Sequence, residues 1–274
     1  MPRSRQARGR AVQRQQQAAH LQPAASKPGE YRRSGQKGKT GKVRVQASSW
    51  PPEHLRLPPC CAITAGDKVA FVLKGLLSPS ECAAWIDRSH ATPGGYRSAT
   101  IQSRSGNGGG RGKLNTTVRS SLRCMMDGVE TASDLFGRIR SHLPQLVEGR
   151  RLAGLNERLR FLRYEQSGHF APHHDGEYTR PDGSERSNLT IMVYLNSGGG
   201  VDFEGGETRF LSMADKAAGV NHTPEIGDVL VFSHDLYHAG CEVTCGVKYA
   251  VRTDVMYEAR VATKHAKHAK HSSY

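Results

Sequence analysis

His173-His174-Asp175 places two kinds of metal-ligating side chain in one short run. In an extended chain, residues i and i+2 project from the same face. His173 and Asp175 then reach one point together, while His174 faces away. His238, 63 residues after Asp175, offers a third donor that only the fold can bring close. Two imidazoles and one carboxylate on one side of a divalent ion leave three coordination positions open. Oxygen chemistry at a non-haem Fe(II) ion requires that opening, because a co-substrate and O2 must both bind. His-x-Asp by itself is a weak signal: the chain has 13 histidines, and the ordinary alternative is a solvated strand edge. The downstream spacing strengthens it. In His238-Ala-Gly-Cys-Glu-Val-Thr-Cys-Gly-Val-Lys248 a cation stands one strand beyond the histidine. There a dicarboxylate chelating the metal at one end needs a partner at the other. An exposed strand lysine is the commoner fate of lysines in general. Arg252 projects from the same strand face four residues on, as a second anion ligand or as a surface ion pair.

The elements that must position these residues follow from periodicity. From Leu159 onward the pattern is of short strands divided by Gly and Asp turns: 159–165, 169–174, 189–196, 207–211, 228–232, 238–243 and 249–257. Many short strands with turn signals predict a sandwich or barrel. Ahead of them, Val69-Ala-Phe-Val-Leu73 reads as a strand. Ser78-Pro79-Ser80-Glu81 then reads as a helix start: a cap, a first-turn proline and a glutamate at the third helical position. That helix runs to about Ser89 and buries Cys82, Trp85 and Ile86. A second helix is expected over about 128–143, with Val129, Ala132, Leu135, Phe136, Ile139 and Leu143 on one face, ending at Pro144. Helices before strands make the chain α+β with an all-β catalytic core. Gly106 to Gly112 reads as a mobile loop over the substrate entrance, not a phosphate-cradling one, since no Gly-Lys-Ser/Thr follows.

The net charge of +14 resembles a nucleic-acid signal until it is partitioned. Residues 1–47 hold twelve Lys/Arg against one acid, and 259–274 hold four against none, so 48–258 stand at −1. Residues 1–47 have almost no large apolar side chains and are expected to be disordered. As a solvated tail, an organelle transit peptide or a basic arm for RNA or nuclear import, that segment stays open. The His/Lys-rich repeat near the C-terminus is expected to be a flexible basic tail. Between the tails, a single domain is expected over 58–258. Six scattered cysteines fit a reducing compartment better than a disulfide scaffold. No apolar run approaches the ~20 residues of a membrane span, and no secretory leader is apparent. The expectation is a soluble intracellular protein, cytoplasmic or nuclear, with organelle import left open.

Several motifs occur together and in order: Tyr164-x-x-x-Gly168-x-Phe170-x-x-His173-x-Asp175, Tyr194-Leu195-Asn196, Gly205-Gly206-Glu207-Thr208-x-Phe210, Gly227-Asp228-x-Leu230-x-Phe232 and His238-x-Gly240-Cys241-x-Val243-x-x-Gly246-x-Lys248-Tyr249. Through them residues 159–257 resemble the catalytic domain of the prolyl 4-hydroxylase group of Fe(II)/2-oxoglutarate dioxygenases. The resemblance implies a double-stranded β-helix, or jelly-roll, core with flanking helices packed on one sheet. It implies Fe(II) held by His173, Asp175 and His238, with 2-oxoglutarate and O2 as co-substrates; ascorbate stays an open addition. Lys248 would hold the distal carboxylate of 2-oxoglutarate, and the hydroxyls of Tyr164 and Tyr194 would line its pocket. Simple aromatic packing is the alternative for both tyrosines. Gly205-Gly206 and Gly227-Asp228 are assigned to turns. Beyond the metal centre no catalytic side chain is implied. The implied reaction hydroxylates a C–H bond, first of all on a protein residue such as proline, with release of succinate and CO2. A small-molecule oxygenase is the second reading, and an iron-binding module without turnover the third. Nucleic acid is expected only through the tails, since the neutral core lacks a continuous basic face. The oligomeric state is left open.

Overall fold

Alternating inward and outward side chains resolve into strands in the computed structural model, which describes residues 52–57, 68–101, 112–215 and 217–259. The described strands are β1 (Glu53–His54), β2 (Ala70–Leu73), β3 (Arg97–Ser98), β4 (Arg119–Ser120), β5 (Leu122–Asp127), β6 (Leu146–Val147), β7 (Arg150–Leu155), β8 (Arg158–Tyr164) and β9 (His169–His173). They continue as β10 (Glu185–Tyr194), β11 (Phe203–Gly205), β12 (Thr208–Leu211), β13 (Gly219–His222), β14 (Val229–Ser233), β15 (His238–Gly240), β16 (Val243–Gly246) and β17 (Lys248–Glu258). Two helices, α1 (Pro79–Ala91) and α2 (Val129–Ile139), precede most of them.

One sheet runs β1-β2-β14-β10-β17-β8-β5-β3, with β7 on β17 and β6 on β7. The other runs β13-β12-β15-β9-β4, and β11-β16 forms a separate ribbon. The fold is a double-stranded β-helix, and its large sheet is buried on both faces. Leu159, Phe161, Val229, Val231, Val251 and Val255 face α1 and α2 through one continuous apolar core. Their neighbours in sequence, among them Leu162, Tyr164, Leu230, Phe232 and Ala250, face the interior between the sheets. Period-two alternation on doubly buried strands thus makes the helix-packing layer and the site-bearing layer from the same residues.

The start of α1 is as expected. Ser78 Oγ accepts from the Glu81 amide at 3.3 Å and Glu81 Oε2 from the Ser78 amide at 2.8 Å, a reciprocal cap. Glu81 also pairs with Arg138 of α2 at 2.7 Å, tying the helices together. Several boundaries differ from expectation. The α2 helix stops at Ile139 and tightens into a 3-10 turn over Arg140–His142. Val129, expected on its apolar face, is 70% exposed. The span expected over 238–243 is two strands. Its partner chain bends at Gly205 and Gly206 (φ 69° and 68°), so the first half pairs with β12 and the second with β11. The strands β4 to β7 and β13 were not expected. The domain start near Pro58 is too late: β1 pairs with β2, and Leu55 and Leu57 pack against the interior.

The readings of residues 1–47 and of the repeat after 264 lie outside the described residues, as does most of the Gly106–Gly112 stretch. Cys82, Cys124, Cys241 and Cys245 are free thiols. Among the described residues no helix is long and apolar enough to cross a membrane.

Candidate metal centre

The third donor arrives by strand pairing. On the small sheet β15 lies beside β9 with His238 directly opposite His173, so two histidines 65 positions apart become cross-strand neighbours. Asp175 falls just beyond the end of β9, not within it, and its amide donates to the His234 carbonyl at 2.9 Å. The backbone stays extended enough to keep the carboxylate on the His173 side. His173, Asp175 and His238 each present a ligand atom, all within 4.8 Å of one another. Asp175 Oδ1 is 3.7 Å from His173 Nε2, and Oδ2 is 3.8 Å from His238 Nε2. His174 turns away to pack on Tyr237, with ring centroids 5.0 Å apart.

The donor set suits a divalent ion in protonation as well as in position. His173 Nδ1 lies 2.9 Å from the Ala171 carbonyl and His238 Nδ1 lies 2.9 Å from that of Leu236. A carbonyl only accepts, so both Nδ1 atoms carry the proton and both Nε2 lone pairs point into the site. Burial, with His173 alongside, pushes the His238 imidazole down to about 3, which keeps it neutral. Burial would raise the Asp175 carboxyl, but Arg252, His173 and His238 outweigh it and hold it well below the usual carboxylate range. Rings fix both ligands: Phe170 stacks on His173 at 3.6 Å, and Phe232 meets His238 edge-on at 4.7 Å.

Behind the ligands lies a buried charge network. Asp175 accepts from Thr190 Oγ1 at 2.5 Å and pairs with Arg252 at 3.2 Å. Arg252 also pairs with Asp254 at 3.1 Å, and Arg160 holds the other Asp254 oxygen at 3.0 Å. Arg252 is therefore a half-buried partner of the carboxylate, not the surface ion pair offered as one alternative.

Lys248 lies one register step away, opposite Tyr164 on β8. It is 3% exposed, and its Nζ donates to the Gly206 carbonyl at 2.6 Å. Gly206 has to be glycine here, since an added Cβ would stand 2.9 Å from the Phe203 ring and 3.3 Å from Lys248 Cδ. Burial pushes the Lys248 ammonium down to about 8, with Cys241 and Glu207 pulling the other way. Among the described residues one acceptor serves its three donor positions, so a buried ammonium faces the cavity with donors to spare for an anion. Tyr164 borders the same cavity. Tyr194 stands one layer back: its hydroxyl meets Thr208 Oγ1 at 2.7 Å, and Thr208 forms the wall.

The cavity walls also include Arg119, Arg123, Arg160, Met192 and Thr208, and the sequence reading named none of these as site residues. Arg160 was within reach, because it shares parity with Leu162 and Tyr164 on β8. Arg119 and Arg123 were not, since β4 and β5 carry no clean alternation.

In this jelly roll two neutral imidazoles and a carboxylate meet between the sheets and could hold a divalent metal ion, with a buried cation lining the same cavity. The family model described as the 2OG-Fe(II) oxygenase superfamily matches residues 159–253. Prolyl 4-hydroxylase 1 of Arabidopsis thaliana is 26% identical over 230 residues, covering 77% of this chain and 71% of that protein. Two solved structures share the fold. A Pseudomonas putida prolyl-4-hydroxylase has a TM-score of 0.50 at 16% identity, covering 70% of this chain and 92% of its own. A Trichoplax adhaerens prolyl hydroxylase, in complex with a hypoxia inducible factor oxygen degradation domain peptide fragment, has a TM-score of 0.51 at 15% identity, covering 68% and 82%. These matches support a 2OG-Fe(II) oxygenase with a prolyl 4-hydroxylase-like catalytic domain; that family uses Fe(II), 2-oxoglutarate and O2, and His173, Asp175 and His238 could bind the iron.

Proposed function

We propose that this chain hydroxylates a prolyl residue of a protein or peptide, with His173, Asp175 and His238 holding Fe(II) and Lys248 holding the distal carboxylate of 2-oxoglutarate. In the overall reaction one O2 is consumed, 2-oxoglutarate becomes succinate and CO2, and one oxygen atom enters the substrate C–H bond. When bound, the iron and its co-substrate supply the oxidising chemistry. The protein's own part is placement. Nδ1 donation to backbone carbonyls fixes both imidazoles, Thr190 and Arg252 fix the carboxylate, and the Phe170 and Phe232 rings shield the donors from water. Tyr164 and Thr208 flank Lys248, whose ammonium selects a co-substrate with a second carboxylate. The single observation that carries the reading is one cavity that joins three converging ligand atoms to a buried, under-satisfied ammonium. The likeness to Arabidopsis prolyl 4-hydroxylase 1 supports proline as the target.

The test is to supply the full-length protein with Fe(II), labelled 2-oxoglutarate and proline-containing peptides. Labelled succinate should form together with a +16 Da product whose fragmentation maps to proline. His173→Ala should lose both, with a large loss of Fe(II) affinity, whereas His174→Ala should keep both. A +16 Da shift only on other residues, or only on small molecules, would move the target away from proline.

A further inference from the structure

Five cations border the cavity (Arg119, Arg123, Arg160, Lys248 and Arg252) against a single acid, Asp175. Arg252 and Arg160 are matched by Asp175 and Asp254, and the reading above gives Lys248 the distal carboxylate of 2-oxoglutarate. Arg119 and Arg123 are left over. Among the described residues neither is within ion-pair distance, 4.0 Å, of an acidic group. Arg119 donates from Nε to Ser121 Oγ at 2.8 Å and lies over the Phe170 ring at 4.5 Å. Among the described residues Arg123 reaches only Thr100 Oγ1, at 3.4 Å. Arg119 is 9% exposed and Arg123 is half-buried. Burial, and then the charges of Arg119, Arg160 and Arg252, act against the Arg123 guanidinium, which nonetheless stays charged at neutral pH. Two part-buried cations that repel each other and lack an acidic partner carry a cost that a bound anion would relieve.

Position separates these arginines from the co-substrate. Arg123 pairs across strands with Leu162, and Leu162 with Ala250. Arg123 therefore stands on the cavity side, two strands and two residues from Lys248, about 12 Å away at the backbone by sheet spacings. Arg119 lies over Phe170, the ring that stacks on His173. The pair thus lines the β4 and β5 side of the cavity, displaced across the strands from Lys248. The guanidinium fork matches a carboxylate two oxygens at a time.

We propose that Arg119 and Arg123 form a carboxylate-binding subsite for the substrate, so that the target residue in a peptide is flanked by Asp or Glu. The proposal rests on the hydroxylase reading but is separable from it. Its test is binding to the full-length protein with Fe(II) and 2-oxoglutarate under anoxia, where no turnover occurs. The probes are two fluorescent proline peptides that differ only in carrying Glu or Gln on either side of proline. N-acetylproline and N-acetylprolinamide serve as competitors. The Glu peptide should bind roughly ten-fold or more tightly, as charge-assisted hydrogen bonds imply, and the ratio should shrink with added salt. Arg119→Gln and Arg123→Gln should each reduce the ratio, and Arg119→Lys should keep part of it. If neither peptide binds but direct calorimetric titration shows N-acetylproline binding more tightly than its amide in an arginine-dependent way, the carboxylate subsite stands and the peptide reading falls. If neither acid is favoured over its neutral counterpart by the unmodified protein, the subsite is refuted whatever the variants do. A rise in KM for 2-oxoglutarate in Arg119→Gln with an unaltered Glu-over-Gln ratio would also refute it, giving these arginines to the co-substrate.

Discussion

The ammonium of Lys248 sits 5.5 and 5.4 Å from the ring centroids of Tyr164 and Tyr194 and donates to a backbone carbonyl. With a pKa near 8, it is charged at neutral pH and loses its proton soon above. A bound carboxylate favours the charged form and raises that pKa in the complex, so binding takes up a proton in the pH range between the two values. KM for 2-oxoglutarate should therefore be flat below about pH 7. It should rise toward about ten-fold per pH unit above pH 8. Lys248→Ala should raise KM roughly ten- to a hundred-fold at neutral pH and remove the pH dependence. Lys248→Arg should keep part of the affinity and also flatten the profile, because a guanidinium does not titrate there. Steady-state kinetics across pH 6.5–9.5, with Fe(II) held constant, reads all three. A flat profile in the unmodified protein would separate Lys248 from the carboxylate.

Strand β17 shows how one element serves two layers. Lys248, Ala250, Arg252 and Asp254 face inward, while Val251 and Val255 pack beneath the helices. Arg252 compensates two buried acids, Asp175 and Asp254. Arg252→Met keeps most of the volume and leaves those acids without their shared cation. Urea denaturation of the metal-free protein should then show a loss of about 3–5 kcal/mol. Saturating Fe(II) should restore part of it, since the ion takes over the compensation of Asp175. A loss below about 1 kcal/mol would show that the network is not coupled to stability. The same strand shows what was legible in the sequence. The offset from His238 to Lys248 and the parity of Arg252 were readable, because strand alternation needs no tertiary information. The capping box of α1 was readable for the same local reason. The partners of Arg252 were not, since Asp175 and Asp254 meet it only through sheet closure. Strands β4 and β5, which carry Arg119 and Arg123, were also hidden. In Leu122-Arg-Cys-Met-Met-Asp127 the apolar residues do not alternate cleanly, and pairing with β8 along its whole length, not periodicity, makes the run a strand.

At the scale of the whole chain, charge and fold are divided. Residues 48–258 are close to neutral at −1 while the two ends together carry +15, and every residue of the site lies between Arg119 and Asp254. A fragment covering 52–259 should bind Fe(II) and turn over 2-oxoglutarate as the full chain does, within about two-fold in KM, at the same salt. The start of that fragment matters. The two-residue strand Glu53–His54 pairs with β2, and β2 is hydrogen-bonded to β14 in the large sheet. Leu55 and Leu57 pack, half-buried, against the cluster of Val72, Leu230 and Phe232. Removing them by starting at residue 58 exposes part of that cluster, at about 1 kcal/mol for each half-buried leucine. For a domain of this size each kcal/mol moves Tm by about 2–4 °C. The 58–259 fragment should therefore melt several degrees below 52–259 while keeping its affinity for Fe(II), because no ligand lies near that edge. Calorimetry of the two fragments beside the full chain decides the matter. Equal melting temperatures would place the domain start after β1, and loss of iron from 52–259 would show that the basic ends belong to the catalytic unit.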